Sequence, residues 1–256
     1  MNTKTAFSTK AEKYAKYRWD YASNAIDEII GITQLSNKSC IADIGAGTGI
    51  LTKHFVGKVQ RVYAIEPNVE MRQILESELG ATPSVSVIDG SAEATNLPQE
   101  SVDVITIAQS IHWFDPEPAQ KEMRRILKDN GWLAVLRNYS TDELNKSVSS
   151  LMTEEYGANF STKIERPKEK PIHFYYGNNS FQKLIYPFQF QQNWEEFIGA
   201  MTSASFMPNE NHPLFNKLES EAEKIFSQYS DNGKLNGKVN VQGETELSKY
   251  PVNASE

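Results

Sequence analysis

A single cysteine, Cys40, stands among 256 residues, so no disulfide can close within the chain and a reducing, cytoplasmic setting is expected. Cys40 opens an apolar stretch, which is where a buried structural thiol sits rather than a reactive one. No apolar run approaches the roughly 18 residues needed to cross a bilayer, and the polar amino terminus has no apolar core of a secretory signal, so no membrane partner is expected. Blocks of Lys and Arg are missing too. With 33 acidic residues against 26 basic ones the formal charge is −7, a poor match to a phosphate backbone, and nucleic acid is not an expected partner. Four histidines show no H-E-x-x-H spacing, and no Gly-x-Ser-x-Gly elbow is present. Neither a metal nor a covalent nucleophile is therefore expected.

What the chain does have is concentrated in residues 41–49, Ile-Ala-Asp-Ile-Gly-Ala-Gly-Thr-Gly, an apolar strand running into a glycine turn. Gly45, Gly47 and Gly49 allow a tight turn and the close approach of a ligand to the backbone. The next apolar strand, Val62-Tyr63-Ala64-Ile65, ends on Glu66, placed to accept hydrogen bonds from the two hydroxyls of a ribose. A dinucleotide fingerprint would put a third glycine where Ile50 stands, and Asp43 before the turn would repel a pyrophosphate while suiting a cationic ligand. Apolar strands are expected at 39–44, 61–65, 85–88, 102–108 and 132–137. Helices are expected at 50–56, 68–79 and 118–127, with a leading helical pattern over 9–31. Strict alternation of this kind implies an α/β fold with a parallel sheet covered on both faces. Beyond residue 138 the periodicity weakens. Helices are read at 141–160, 194–201 and 213–229, and strands around 188–190 and 237–247.

The pattern Asp-x-Gly-x-Gly-x-Gly followed by a strand-ending Glu resembles the Rossmann-like (class I) S-adenosylmethionine-dependent methyltransferases. His112-Trp113-Phe114-Asp115, directly after the fourth strand, resembles the methyltransferase type 11 group that includes trans-aconitate methyltransferase-like proteins. The resemblance implies a doubly wound, mostly parallel seven-stranded sheet with an antiparallel edge strand. It also implies an N-terminal helical lid at 1–34, a methyltransferase domain at 35–256, and a lid insertion after the fifth strand at about 138–180. S-adenosylmethionine is the implied cofactor and a small molecule the implied partner, acting as a carboxylate or another O, N or S nucleophile.

Residue by residue, the resemblance places Asp43, Gly45, Ala46, Gly47 and Thr48 at the methionine end of the cofactor and Glu66 with Pro67 at the ribose. Met71 and the loop Gly90-Ser91-Ala92-Glu93 fall at the adenine, with Asp89, Ser91 or Glu93 as the side-chain acceptor. Gln109 would reach the methionine portion or the substrate. His112 is the general-base candidate, its alternative being a histidine held by the backbone beneath the Trp113 ring. Trp113, Tyr14, Arg18 and Arg137 are candidate substrate contacts, and His173, Tyr175 and Tyr176 would sit in the lid. Two rival readings stand beside this one: a cofactor-binding protein without turnover, and a NAD(P)-dependent oxidoreductase. The oligomeric state is not legible.

Overall fold

The computed structural model describes residues 10–139, 142–153, 170–176, 181–204, 207–208 and 210–249. Among the described residues there are seven strands: β1 (Cys40–Ile44), β2 (Arg61–Ile65), β3 (Val85–Ile88), β4 (Val102–Ala108), β5 (Leu127–Tyr139), β6 (Gln182–Gln192) and β7 (Leu235–Lys249). They form one sheet in the order β3-β2-β1-β4-β5-β7-β6. The described pairings are parallel throughout, β1 lying between β2 and β4 with Asp43 opposite Ala64 on one side and Thr106 on the other. The parallel sheet therefore comprises five strands rather than seven. The order reverses at β1, and a parallel sheet of this type opens its ligand crevice at the carboxyl ends of the strands flanking the reversal.

The chain groups into two compact units. One comprises Asp20–Arg137, Arg166–Tyr186 and Gly243–Glu256 and holds the parallel strands. One face of its sheet packs against helix α2 (Ser23–Thr33) and the glycine-loop turn, through Ile26, Ile29, Leu51, Phe55, Val62 and Val104. The other face packs against helix α4 (Pro116–Ile126), through Ile105, Ile107, Phe114, Ala119 and Met123. Val104 and Ile105 are adjacent in β4 yet belong to opposite faces, as the two-residue strand period demands. Helix α3 (Val69–Leu79) covers Ala46 and Ala64 with Leu75. The short helix α6 (Ile172–Tyr176), expected in a lid, instead buries Tyr175 and Tyr176 completely in the core shared with Phe114.

The second unit comprises Met1–Trp19, Asn138–Glu165 and Pro187–Gln242. Its described helices are α1 (Ala11–Tyr17), α5 (Glu143–Ser150), α7 (Trp194–Thr202) and α8 (Phe215–Tyr229), with Leu144, Phe197, Met201, Leu218 and Phe226 between them. Asn193 and Glu196 close a capping box at the start of α7. Of the helix expected over 141–160, residues 141 and 154–160 lie outside those described.

Two local expectations are corrected. The helical pattern over 9–31 is interrupted: Arg18 turns extended after α1, and Asp20 accepts the Tyr21 amide with its own side chain, so α2 starts afresh at Ser23. The strand expected at 132–137 starts earlier, since β5 already pairs with β4 at Leu127; Asn130-Gly131, a pair of residue types that usually makes a turn, is an irregularity inside it before pairing resumes at Trp132. Asn130 takes φ +61°, and a Cβ on Gly131 would lie 2.6 Å from Leu127 Cγ.

Candidate functional site

The glycine turn crosses the carboxyl ends of β1 and β2. Gly45, Gly47 and Gly49 all have positive φ, at +71°, +60° and +89°, a backbone that a side chain disfavours. Space forbids substitution as well. A Cβ on Gly45 would stand 2.6 Å from both Cβ and Oγ of Ser110, and one on Gly49 would stand 2.6 Å from Leu75 Cδ1. Ser110 is held against the turn because its Oγ donates to the Ile44 carbonyl at 3.0 Å. The amides of Gly45 and Ala46 both donate to the Ile65 carbonyl, which ties the turn to the end of β2. The Thr48 hydroxyl is buried without a hydrogen-bond partner, the kind of orphan that a ligand satisfies.

Two carboxylates flank this turn. Glu66 is buried and accepts the amide of Gly47 on Oε2 and that of Asn68 on Oε1, each at 2.8 Å. Burial pushes its acid above the ordinary range, against the pull of those two amides. Arg72 donates to the Glu66 carbonyl and pairs with Asp89. Asp43 is more deeply buried, at 1% exposure, and its partners are neutral: Thr52 Oγ1 donates at 2.7 Å and Thr106 Oγ1 at 3.1 Å. Burial raises its pKa to about 6, with the two hydroxyls opposing. Among the described residues Asp43 makes no ion pair.

The loop after β3 is braced from below. Ser91 and Ala94 exchange backbone hydrogen bonds, and Glu122 of α4 accepts both the amide and the hydroxyl of Thr95. Arg125 clamps the same Glu122 and also donates to the Leu97 carbonyl. Burial works against the Glu122 charge, but the bonds from Arg125 and Thr95 outweigh it and hold the acid at about 2. Of the three candidate adenine acceptors, Glu93 already accepts the Asp115 amide at 2.8 Å, and Asp89 pairs with Arg72. Pro67 is half-buried, Met71 is buried in the protein, and Val69, the first residue of α3, is 52% exposed.

At the end of β4, Gln109 has φ +55°, a strained conformation for a residue with a side chain, and its amide donates to the Leu136 carbonyl. His112 and Trp113 form the single 3-10 turn that follows, their ring centroids 5.1 Å apart. Both rings are partly exposed, while Phe114 is buried in the core. Arg137 is half-buried near the end of β5. The structure thus gathers Asp43, the glycine turn, Glu66, the 90–93 loop, Gln109 and His112 at the carboxyl ends of β1 to β4. Tyr14 and Arg18 belong to the other unit, where the Arg18 guanidinium lies 5.1 Å over the Tyr14 ring. His173 is exposed on α6.

Sequence reasoning missed Thr52, Thr106, Ser110 and the Thr95–Glu122–Arg125 brace. Thr106 left a signal, being the one hydroxyl in the apolar run Val104–Ala108. The others act through tertiary contacts that no local pattern carries. The set suits a nucleoside with a cationic amino-acid end: one buried carboxylate on backbone amides, one without a counter-ion, an orphaned hydroxyl, and no Lys or Arg within 43–52 to greet a phosphate.

Residues 42–135 match the family described as a methyltransferase domain. An uncharacterized methyltransferase of Schizosaccharomyces pombe is 35% identical over 133 residues, 52% of this chain and 52% of that protein. One of Mycobacterium tuberculosis is 32% identical over 139 residues, 54% of each. The chain thus matches about half the length of these curated relatives. Among solved structures, a putative type II methyltransferase from Anaeromyxobacter dehalogenans superposes with a TM-score of 0.62 at 18% identity, over 93% of this chain and all of that one. The YcgJ protein of Bacillus subtilis gives 0.57 at 18% identity, over 91% and all.

Proposed function

We propose, from the match of residues 42–135 to a methyltransferase domain and the likeness of the sheet to the class I fold, that the protein moves the methyl group of S-adenosylmethionine to a small-molecule acceptor. The observation that carries this reading is the pair of buried carboxylates around a glycine turn whose Thr48 hydroxyl is unsatisfied. Glu66 keeps lone pairs for two ribose hydroxyls while its bonded amides fix its orientation, so little reorganisation is required on binding. Gly45 to Thr48 would hold the amino-acid end, and the Ala92 amide together with Asp89 the adenine. When bound, S-adenosylmethionine supplies an electrophilic methyl on a sulfonium.

The chain's contribution to the reaction is alignment and exclusion of water. Gln109 and the His112–Trp113 turn stand at the end of β4, where an acceptor would approach. His112 can take a proton from a neutral nucleophile, whereas a carboxylate acceptor would need no base. Arg137 would bind an anionic acceptor through its guanidinium. An antiparallel edge among β6 and β7 and a cytoplasmic location belong to the same reading.

Calorimetric titration with S-adenosylhomocysteine, with NADH in parallel, tests it. Binding of the first and none of the second is expected. Binding of NADH alone would transfer the glycine turn to a dinucleotide.

A further inference from the structure

A carboxylate that is wholly buried among neutral partners is an expensive arrangement unless it is protonated or a cation joins it. Asp43 is in this position. Its side chain lies at 1% exposure, both oxygens face threonine hydroxyls, and Thr52 and Thr106 are themselves fully buried. The charged groups around it bring no compensation. Glu66, at the end of the neighbouring β2, is a second buried acid of like charge. On the turn carrying Thr52, Lys53 and His54 are both bound to Asp20. On β4, Asp103 holds Lys128. On β2, Arg61 donates to Ser86, and Arg72 of α3 serves the Glu66 carbonyl and Asp89.

Resting on the cofactor reading above, we propose that Asp43 is a proton-linked counter-charge: in mildly acidic solution it carries a proton in the free protein and releases it to solvent when the positive end of S-adenosylmethionine enters the glycine turn. Thr52 and Thr106 are its positioning residues. In the free protein one of the two hydroxyls turns to accept the Asp43 proton, and in the complex both donate to the carboxylate. No bond of the cofactor is made or broken in this exchange. A proton leaves, and a cation takes up the charge it leaves behind.

The same arrangement explains why this position demands hydroxyls rather than a lysine or arginine. A resident cation would neutralise Asp43 permanently and repel the ligand. Two hydroxyls accept either protonation state by rotation alone, without moving the strand or the turn.

The test is calorimetric titration of the purified protein with S-adenosylmethionine and with S-adenosylhomocysteine, at pH 5.5 and pH 7.5, in buffers of different ionisation enthalpy. Release of most of one proton per ligand is expected at pH 5.5 and almost none at pH 7.5, with affinity rising on the order of tenfold between pH 5 and pH 7. Asp43→Asn abolishes the release. Thr52→Val and Thr106→Val move the midpoint of the pH dependence upward, a displacement that a purely structural role would not produce. Linkage with both ligands places the replacing charge at the ammonium, and linkage with S-adenosylmethionine alone places it at the sulfonium; either supports the proposal. Tight binding at every pH without proton release overturns it and leaves the cofactor reading standing, whereas absence of binding overturns both. A readout without ligand is the 13C carboxyl shift of Asp43. A titration midpoint near 6 is expected in the free protein, and one near 4 overturns the proposal.

Discussion

Glu66 illustrates how one side chain can shape a site before any ligand arrives. Its two oxygens join the Gly47 amide of the turn to the Asn68 amide that starts α3, so removing it loosens the loop as well as the ribose contact. Glu66→Ala should weaken cofactor binding by about 1.5–3 kcal/mol, the range for losing hydrogen bonds to a charged group. Glu66→Gln keeps one acceptor but turns an amide toward the other backbone N–H, so roughly half the loss should remain when both variants are titrated. Asp43 governs a different observable. An acid whose folded pKa lies above its unfolded value stabilises the fold at low pH, and this contribution is lost as pH rises from about 4 through about 6. Urea unfolding of the ligand-free protein between pH 4.5 and 7.5 should therefore show a decline that is flatter in Asp43→Asn. The difference is on the order of 2–3 kcal/mol.

At the level of elements, the turn and the end of β4 are one packed object, because Ser110 occupies the space a side chain on Gly45 would need. Gly45→Ala should cost about 1–3 kcal/mol through overpacking and strain at φ +71°. Ser110→Gly in the same chain should recover the overpacking part and leave the strain, as thermal unfolding of the single and double variants would report. Glycine spacing made this turn legible in the sequence, and the apolar strands made the five parallel partners legible. Neither could reveal that Ser110 is the reason for Gly45, since the two meet only after β4 pairs beside β1. The Asn130-Gly131 pair misled for a related reason. Such residues mark a tight turn, and a bulge uses the same positive φ without ending the strand. Low polarity and aromatic content in 172–176 suited a lid as readily as a core, and only burial distinguished them. Of the named site residues, those on strand ends could be placed from sequence, whereas Tyr14 and Arg18 could not, because their element belongs to the other unit.

For the whole molecule, helix α6 decides how the sheet unit is completed. Tyr176 is fully buried and stacks on Phe181 with centroids 5.7 Å apart, so Tyr176→Ala should destabilise the sheet unit by about 3–5 kcal/mol. A lid residue would leave the urea midpoint unchanged. Gln120 of α4 donates to the Phe174 carbonyl, and Lys170 pairs with Glu117, so the segment is fastened at both ends to the helix that follows the His112 turn. The segment lies far along the chain from the strands it covers, with residues 138–165 assigned to the other unit in between. Synthesis on a ribosome delivers β1 to β5 and α4 first, with the apolar side of Ile111, Phe114 and Ala119 still lacking its cover. At 5–20 residues per second, the usual rate of elongation, that surface stays open for seconds until Tyr175 and Tyr176 emerge. The order of translation thus sets how long this apolar surface stays uncovered, and the interval ends when α6 docks.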